Sequence, residues 1–485
     1  MSQPNGRNRN LTIDRLLIVS NRLPVAATEE DGNERRIRPS QGGLVTALAP
    51  VLRDRGGLWI GWPGTSEEAD LEELVAIGSR DAGYILKPVV LSAEEIKQYY
   101  FGFSNEILWP LFHDFQSRCN FDPAYWNTYQ AVNRKFAQVI AENSATNDYI
   151  WVHDYHLMLV ARELRGMGVQ SKVGFFLHTP FPPLDIYVKL PWRSQILWAL
   201  LDYDLVGFQT RRDRNNFIHC VEALIKGARV DARKRVSTVA LPQRETRVGT
   251  FPISIDFREF DRQASNETVA KEARSLRESL AAFQIILGLD RLDYTKGIPE
   301  RLRAFRNALE RFDDLQGKVG LVQIVVPSRE DIPEYQELKA EIEGLVGEIN
   351  GEFTQPGWIP IHYMFRSLER TELLAYYRAA DIALITPLKD GMNLIAKEYC
   401  AARVDKSGVL ILSEFAGAST QLRRNALVVN PYDIDGVANA IYRAYNMSGD
   451  ERGLRMRRLR KAVARRDIFR WVDFFLKAAM ADVGR

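Results

Sequence analysis

Short apolar runs recur along this chain, each closing on Gly, Pro, Asn or Asp and each followed by residues with helical spacing. RLLIVSNRLP (15–24) predicts a buried strand running into a loop, and LVTALAPVLR, after Gly42 and Gly43, predicts a helix. GGLWIGWPG (56–64) is a second strand with a glycine-rich exit. Between 149 and 210, DYIWVHD, KVGFFLH and DLVGFQT alternate with helical stretches. Near 225–250 the pattern changes to basic and polar (KGARVDARKRVSTV). A second alternating series then runs through FQIILGLDRLD (283–293), VGLVQIVVPSR (319–329), WIPIHYMF (358–365), ADIALITPL (380–388) and SGVLILSEFAG (407–417). Strands alternating with helices give parallel, doubly wound sheets. The predicted class is α/β, with two Rossmann-like domains whose strand ends face a cleft, where ligands of such folds bind. The expected divisions are a disordered tail at 1–10, a first domain at 11–250, a second at 251–465 and a C-terminal helix at 466–485.

A chain of 485 residues exceeds one compact core, which agrees with two domains. At 46% hydrophobic and 26% charged, the composition is that of a soluble globular protein. The 65 basic residues nearly balance the 62 acidic ones, which argues against a nucleic-acid partner. Cys119, Cys220 and Cys400 are odd in number and far apart, so neither a disulfide framework nor a cysteine metal site is expected, and a reducing compartment is. MSQPNGRNRN lacks the apolar core of a signal peptide, and no apolar run is long enough to cross a bilayer. The expectation is a cytoplasmic protein without a membrane partner. RGLRMRRLRKAVARRDIFRWVDFFLK (452–477) reads as one basic amphipathic helix with Leu459, Val463 and Phe469 packed inward.

The most informative stretch is DIALITPLKDGMNLIAKEY (381–399). A strand, a tight turn and a helix start aim backbone N–H groups and the helix dipole at one spot, which suits a diphosphate. Asp390 in the turn could hold sugar hydroxyls, and Glu398, two helical turns on, a ribose diol. In GLDRLDYTKG (288–297), Arg291 and Lys296 sit in one strand-exit loop and could grip a diphosphate and stabilise it as a leaving group. Arg329 in VPSRE stands just past another strand. In the first half Arg22 follows the strand LLIVSN, Gly42 and Gly43 permit close backbone approach, and Asp154 and His178 end the strands YIWVHD and GFFLH. Tyr100 and Trp109, in YYFGFSNEILWP, are aromatic residues able to stack on a sugar or to fill a core.

VSNRLP, QGGL, GWPG, YYFGFSNEILWPLFH, WVHDYHLM, GFFLHTPFP, DLVGFQT, DRLDYTKGI, VPSR, TPLKDGMNLIAKEY, LSEFAGA and VNPYD occur in this order, and the chain thereby resembles the trehalose-6-phosphate synthases across roughly residues 15–475. The resemblance implies a retaining glucosyltransferase of GT-B architecture whose C-terminal helix crosses back to the first domain. It would move glucose from a nucleoside diphosphate to glucose 6-phosphate, giving α,α-trehalose 6-phosphate. Carried over residue by residue, it makes Arg291 and Lys296 the diphosphate grip. Gly43, Leu368, Asp390, Gly391, Met392, Asn393 and Leu394 would hold the rest of the donor, and Glu398 the ribose. His178 would lie against the donor glucose and Asp154 near the acceptor sugar. Arg22, Trp62, Tyr100, Trp109 and Arg329 would form the acceptor pocket. Asp154, His178, Arg291, Lys296 and Asp390 are the implied catalytic set.

Two positions depart from the family pattern: Ser254 in FPISID, where Gly is usual, and Asp114-Phe115-Gln116, where a Tyr commonly follows His113. The sequence leaves open the donor base (uridine, guanosine or adenosine) and the oligomeric state, a homo-oligomer included. A sister glucosylglycerol-phosphate synthase, a cyclitol-joining pseudo-glycosyltransferase and a silent sugar-phosphate binder are the alternatives. QGGL and GWPG favour the trehalose enzyme, and the presence of Arg291, Lys296, Asp390 and Glu398 argues against the silent binder. No Asp-x-Asp-x-Thr stretch follows residue 400, so a separate trehalose-6-phosphate phosphatase is the expected pathway partner. No carboxylate stands out as a covalent nucleophile, which points to front-face attack assisted by the leaving diphosphate. Domain closure would bring the half-sites together and exclude water. No Asp-x-Asp metal motif stands at a strand exit, so the expectation is no obligatory metal or other cofactor, with the paired cations in that role. Turnover should therefore survive a chelator, and complete loss restored by magnesium would overturn this.

Overall fold

A computed structural model describes residues 15–29, 35–39, 43–65, 75, 78–80, 82–232, 236–280, 284–329 and 332–481. The expected tail at 1–10 and Gly42 lie outside them. The chain forms two compact units, one reaching Phe251 and resuming at Val472, the other Pro252–Trp471.

Unit 1 contains β1 (Leu16–Arg22), β2 (Val25–Glu29), β3 (Arg35–Pro39), β4 (Leu58–Trp62), β5 (Ile85–Pro88), β6 (Tyr149–His153), β7 (Lys172–Leu177), β8 (Leu205–Phe208), β9 (Arg229–Asp231), β10 (Val236–Leu241) and β11 (Arg244–Thr250). The sheet order is β5-β4-β1-β6-β7-β8-β11-β10-β9, with β2 and β3 forming a separate antiparallel pair. From β5 to β11 every pairing is parallel, and β10 runs antiparallel to both β11 and β9. The basic stretch where the periodicity changed is thus an antiparallel extension of the same sheet. Leu17, Ile18 and Val19 are fully buried in succession, the signature of a strand covered on both faces. Helix α1 (Gly43–Arg55) follows, and α2 (Pro123–Asn143) turns Trp126, Tyr129 and Phe136 inward. YYFGFSNEIL belongs to a π-helical segment, Ile96–Leu108, which the apolar pattern did not predict.

Unit 2 contains β12 (Gln284–Arg291), β13 (Val319–Val326), β14 (Ile361–Phe365), β15 (Ile382–Ile385), β16 (Val409–Ser413) and β17 (Leu427–Val429), all parallel in the order β14-β13-β12-β15-β16-β17. Helix α3 (Ile298–Arg311) follows β12 and α4 (Leu394–Ala402) follows β15. Both units thus order their first six main-sheet strands as in a doubly wound Rossmann sheet, with the direction of winding reversing between β1 and β6 and between β12 and β15. β17 was not foreseen, because LVV is too short for a periodic signal.

The single C-terminal helix expected over 452–477 is two helices, α5 (Gly449–Ala464) and α6 (Ile468–Met480). The break shifts the helical phase. Leu459 and Val463 are buried as expected, but Ile468 takes the inward place after the break and Phe469 is exposed. The basic face is not merely solvated: Arg460 donates to the carbonyls of Cys400 and Ala401, at the end of α4. Beyond Val472 the chain packs on unit 1. Phe475 stacks on Trp151 with centroids 4.3 Å apart and planes at 12°. Room for it exists because Gly174 and Gly207 carry no side chain there; a Cβ would come within 3.1 and 2.7 Å of the Phe475 ring. Arg247 then closes the helix end by donating to the Ala479 and Ala481 carbonyls at 2.6 and 2.7 Å.

Ser254 lies at the start of unit 2. It is fully buried, and its hydroxyl has no hydrogen-bond partner among the described residues. Nearby, the buried Lys397 ammonium donates to the Ile253 carbonyl. Two stability predictions follow from this packing. Phe475→Ala should cost about 3–5 kcal/mol in denaturant unfolding, since an aromatic ring leaves a walled socket. Ser254→Ala should instead raise the unfolding free energy by about 1 kcal/mol, because it removes an unsatisfied buried hydroxyl.

Candidate active site

In unit 2 the strand exits at the β12–β15 switch gather most of the candidate residues. Past Arg291, Asp293 caps a 3-10 turn over Tyr294–Lys296, its Oδ1 accepting from the Thr295 N–H at 2.9 Å and the Thr295 hydroxyl at 2.8 Å. Gly297 ends the turn with φ 62°, and a Cβ there would stand 2.7 Å from the Thr386 carbonyl oxygen. The two strand-exit loops are joined directly, because Leu388 N–H donates to the Thr295 carbonyl at 2.8 Å. This fold places Lys296 Nζ 2.7 Å from Asp390 Oδ2, with both side chains largely buried. Removing one partner of such a pair strands a buried charge, at a cost of about 3–5 kcal/mol. Asp390 also accepts from Met392 N–H and Asn393 Nδ2, each at 3.3 Å.

Asn393 has φ 66°, which a short polar side chain tolerates, and its Oδ1 caps α4 through Ala396 N–H at 3.1 Å. The Asp390–Asn393 turn thus opens straight into a helix N-terminus, where an anion is favoured. One turn inside α4, Glu398 is half-buried and accepts from the Tyr377 hydroxyl at 2.8 Å. Burial holds its carboxyl above the ordinary range, against the lowering effect of Tyr377 and Arg370. Leu368, in the loop after β14, is buried, whereas Arg291 is exposed at its strand end.

Arg329 belongs to this same unit. Its backbone has φ 53°, its guanidinium donates to the Tyr335 hydroxyl, and its Nη1 lies 3.6 Å from Asp293 Oδ2. Burial alone would raise the Asp293 carboxyl; Arg329 and then Lys296 outweigh it and hold that carboxyl below its ordinary value. One carboxylate therefore serves both the Lys296 turn and Arg329. Sequence reasoning grouped Arg329 with Arg22, Trp62, Tyr100 and Trp109, which all lie in unit 1.

In unit 1, Gly43 opens α1, and Arg22 leaves β1 with its guanidinium 3.8 Å above the Trp62 ring and 5.3 Å from that of Tyr100. Trp62 and Tyr100 meet edge-on at 5.6 Å, so the three form one cationic, aromatic cluster. Gly64 of GWPG makes space for it: at φ 101°, a Cβ would lie 2.1 Å from Arg22 Nη1. His156 lies parallel to Tyr100 at 6.0 Å, a contact the sequence did not signal. Trp109 is buried, 5.8 Å from Tyr155 and 4.2 Å from His113. The neighbouring departure, Asp114, occupies φ 68°, a left-handed position that Asp tolerates better than a bulky residue.

At the β6 and β7 exits Asp154 takes φ 75°, a conformation worth about 1–3 kcal/mol of strain in a non-glycine residue. Its own N–H donates to the Phe176 carbonyl at 2.8 Å, and its Oδ1 accepts from His178 N–H at 3.2 Å. Asp154 and His178 are therefore built as a pair. His153 Nδ1 lies 3.0 Å from His178 Nε2. Burial pushes the His178 imidazole down to about 3 and also lowers His153, with His178 as the second cause. Both rings are neutral at physiological pH, one donating to the other. His153 was missed because it precedes the better-placed Asp154 on an apolar strand. Tyr377 was missed because it acts through Glu398, 21 residues away, and Tyr335 because it acts only through Arg329.

Among the described residues no group of three or more His, Cys, Asp or Glu side chains is placed to hold a metal ion, and no helix is long and apolar enough to cross a membrane.

Residues 14–481 match Glycosyltransferase family 20. The trehalose-6-phosphate synthase of Mycobacterium avium is 44% identical over 468 residues, covering 95% of this chain and 94% of that protein. Among solved structures, an alpha,alpha-trehalose-phosphate synthase (UDP-forming) from Burkholderia xenovorans, in complex with glucose-6-phosphate, superposes with a TM-score of 0.86 at 35% identity, covering 96% of this chain and 100% of that one. An E. coli structure described as trehalose-6-phosphate bound with UDP-2-fluoro glucose gives 0.85 at 37% identity, covering 97% and 100%. With a family match across nearly its whole length and the same two-unit α/β fold as these enzymes, the chain belongs to Glycosyltransferase family 20.

Proposed function

We propose that this chain is a UDP-forming trehalose-6-phosphate synthase, a retaining glucosyltransferase that moves glucose from UDP-glucose to glucose 6-phosphate. The observation that carries the reading is the 44% identity to such a synthase over 95% of the chain. The strand-end chemistry agrees with it. Arg291 and Lys296 would take the diphosphate, with the α4 N-terminus behind it, and stabilise the charge that builds as UDP leaves. Lys296 already sits against Asp390, so its ammonium is held in place before an anion arrives. Positioning of this kind needs no reorganisation at the moment of reaction.

Glu398, fixed by Tyr377, would accept from the ribose diol. His178, neutral, would donate one ring N–H toward the donor glucose, and Asp154, aligned by His178 N–H, would hold an acceptor hydroxyl. Arg22, over the Trp62 ring and beside Tyr100, would take the 6-phosphate. The incoming hydroxyl would attack from the face that UDP leaves, giving its proton to the departing phosphate oxygen; the anomeric carbon keeps its α configuration. The product remains a phosphate ester, so a phosphatase step would follow to release free trehalose. Three cysteines without a disulfide fit a cytoplasmic enzyme.

The test is to incubate the protein with UDP-glucose or GDP-glucose against glucose 6-phosphate or glycerol 3-phosphate, and to measure nucleotide release and product. Release should require glucose 6-phosphate, and release with glycerol 3-phosphate alone would overturn the acceptor. Arg291→Ala should lower kcat by about 100-fold or more while leaving the fold intact, and a near wild-type rate would remove Arg291 from the diphosphate grip.

A further inference from the structure

Beneath the two donor loops lies a polar network that no substrate contact explains. Arg301, on the first turn of α3, is completely buried, and its Nη2 stands 2.7 Å from the equally buried Asp290 Oδ2 of β12. The guanidinium has three further partners on three segments. Its Nε donates to the Thr386 hydroxyl just past β15 at 3.1 Å, and its Nη1 to Gln323 Oε1 of β13 at 3.2 Å. Its Nη2 also donates to the Lys296 carbonyl at 3.3 Å. Gln323 in turn donates to the Gly288 carbonyl at 3.3 Å. Gly288 keeps the space open, since a Cβ would fall 2.4 Å from Gln323 Oε1 and 3.0 Å from Arg301 Nη1.

A buried ion pair is seldom the most stable way to fill a core, because hydrophobic residues of similar volume often do as well or better. What this one provides is geometry. A planar guanidinium fork is rigid, and each arm here ends on a segment that carries, or adjoins, a donor loop. The Lys296 carbonyl and the Thr386 hydroxyl are pulled toward one rigid group from below, while Leu388 N–H meets the Thr295 carbonyl from the side. We propose that Arg301 is a positioning residue for the transfer reaction, holding the Lys296 turn and the β15 exit in the register that presents Lys296 and Asp390 to a diphosphate. This rests on the donor reading above.

Arg301→Lys tests it, because the charge opposite Asp290 is kept and the fork is lost. UDP affinity, measured by calorimetry, should fall about tenfold, and kcat with it. Leu309→Ala, in the apolar core at the far end of α3, is the control: it should lower the unfolding midpoint and leave UDP affinity unchanged. Arg301→Lys with wild-type UDP affinity and kcat would overturn the proposal, as would an equal loss of UDP affinity in Leu309→Ala. Should Arg301→Lys not fold, Thr386→Val removes one arm only and should weaken UDP binding about threefold; no change there would also overturn it. A wild-type protein that binds no UDP would sink the donor reading and this inference with it. A wild-type protein that binds UDP and turns over, beside variants that match it, would sink the Arg301 assignment alone.

Discussion

Parallel pairing of β12 with β15 is the constraint on which the strand-exit geometry of unit 2 depends. Ile286 and Leu287 pair with Ile382 and Ala383, and the two strands then send their chains into loops at the same sheet edge. Because the winding reverses between these neighbours, neither crossover helix covers the gap, and the loops approach each other instead. The Leu388 to Thr295 hydrogen bond and the Lys296–Asp390 pair are consequences of that gap. Unit 1 repeats the arrangement with β1 and β6, where Leu16 to Val19 pair with Tyr149 to Val152 and the exits carry Arg22 and Asp154.

Each exit is then tuned by burial and charge. In unit 2, Lys296, Arg301 and Arg329 are balanced by Asp390, Asp290 and Asp293, with separations from 2.7 to 3.6 Å. Cations held this way are partly neutralised and fixed in place by their partners. Unit 1 uses a different device. Its cation lies on aromatic faces and its histidines are kept neutral by burial, an environment suited to sugar hydroxyls and a single phosphate.

Most of the fold was legible in the chain, because β1, β6, β12, β13, β15 and β16 are buried along nearly their whole length and show as mainly apolar runs between turn residues. The short β17, the β2–β3 pair and the π-helical segment were not: LVV is too short to stand out, VAATE and RRIRP hold no apolar run, and a π-helix shifts the helical period. The C-terminal stretch misled for a related reason: periodicity cannot register a break whose residues are as polar as the helix face around them. Phe469 was therefore assigned inward when Ile468 holds that place.

What the sequence by itself determined was the architecture of two parallel sheets and the candidate residues at their strand ends, because strand period and loop position are local properties. Its motifs also carried the resemblance to a glucosyltransferase family. Tertiary structure alone decided which of those residues meet. That Asp293 serves both the Lys296 turn and Arg329, that Tyr377 fixes Glu398, and that Arg301 reaches under both strand-exit loops are contacts between residues up to 85 positions apart. Such contacts follow from the order of strands in the sheet and from which side chains are buried beside one another, and neither has a local signature.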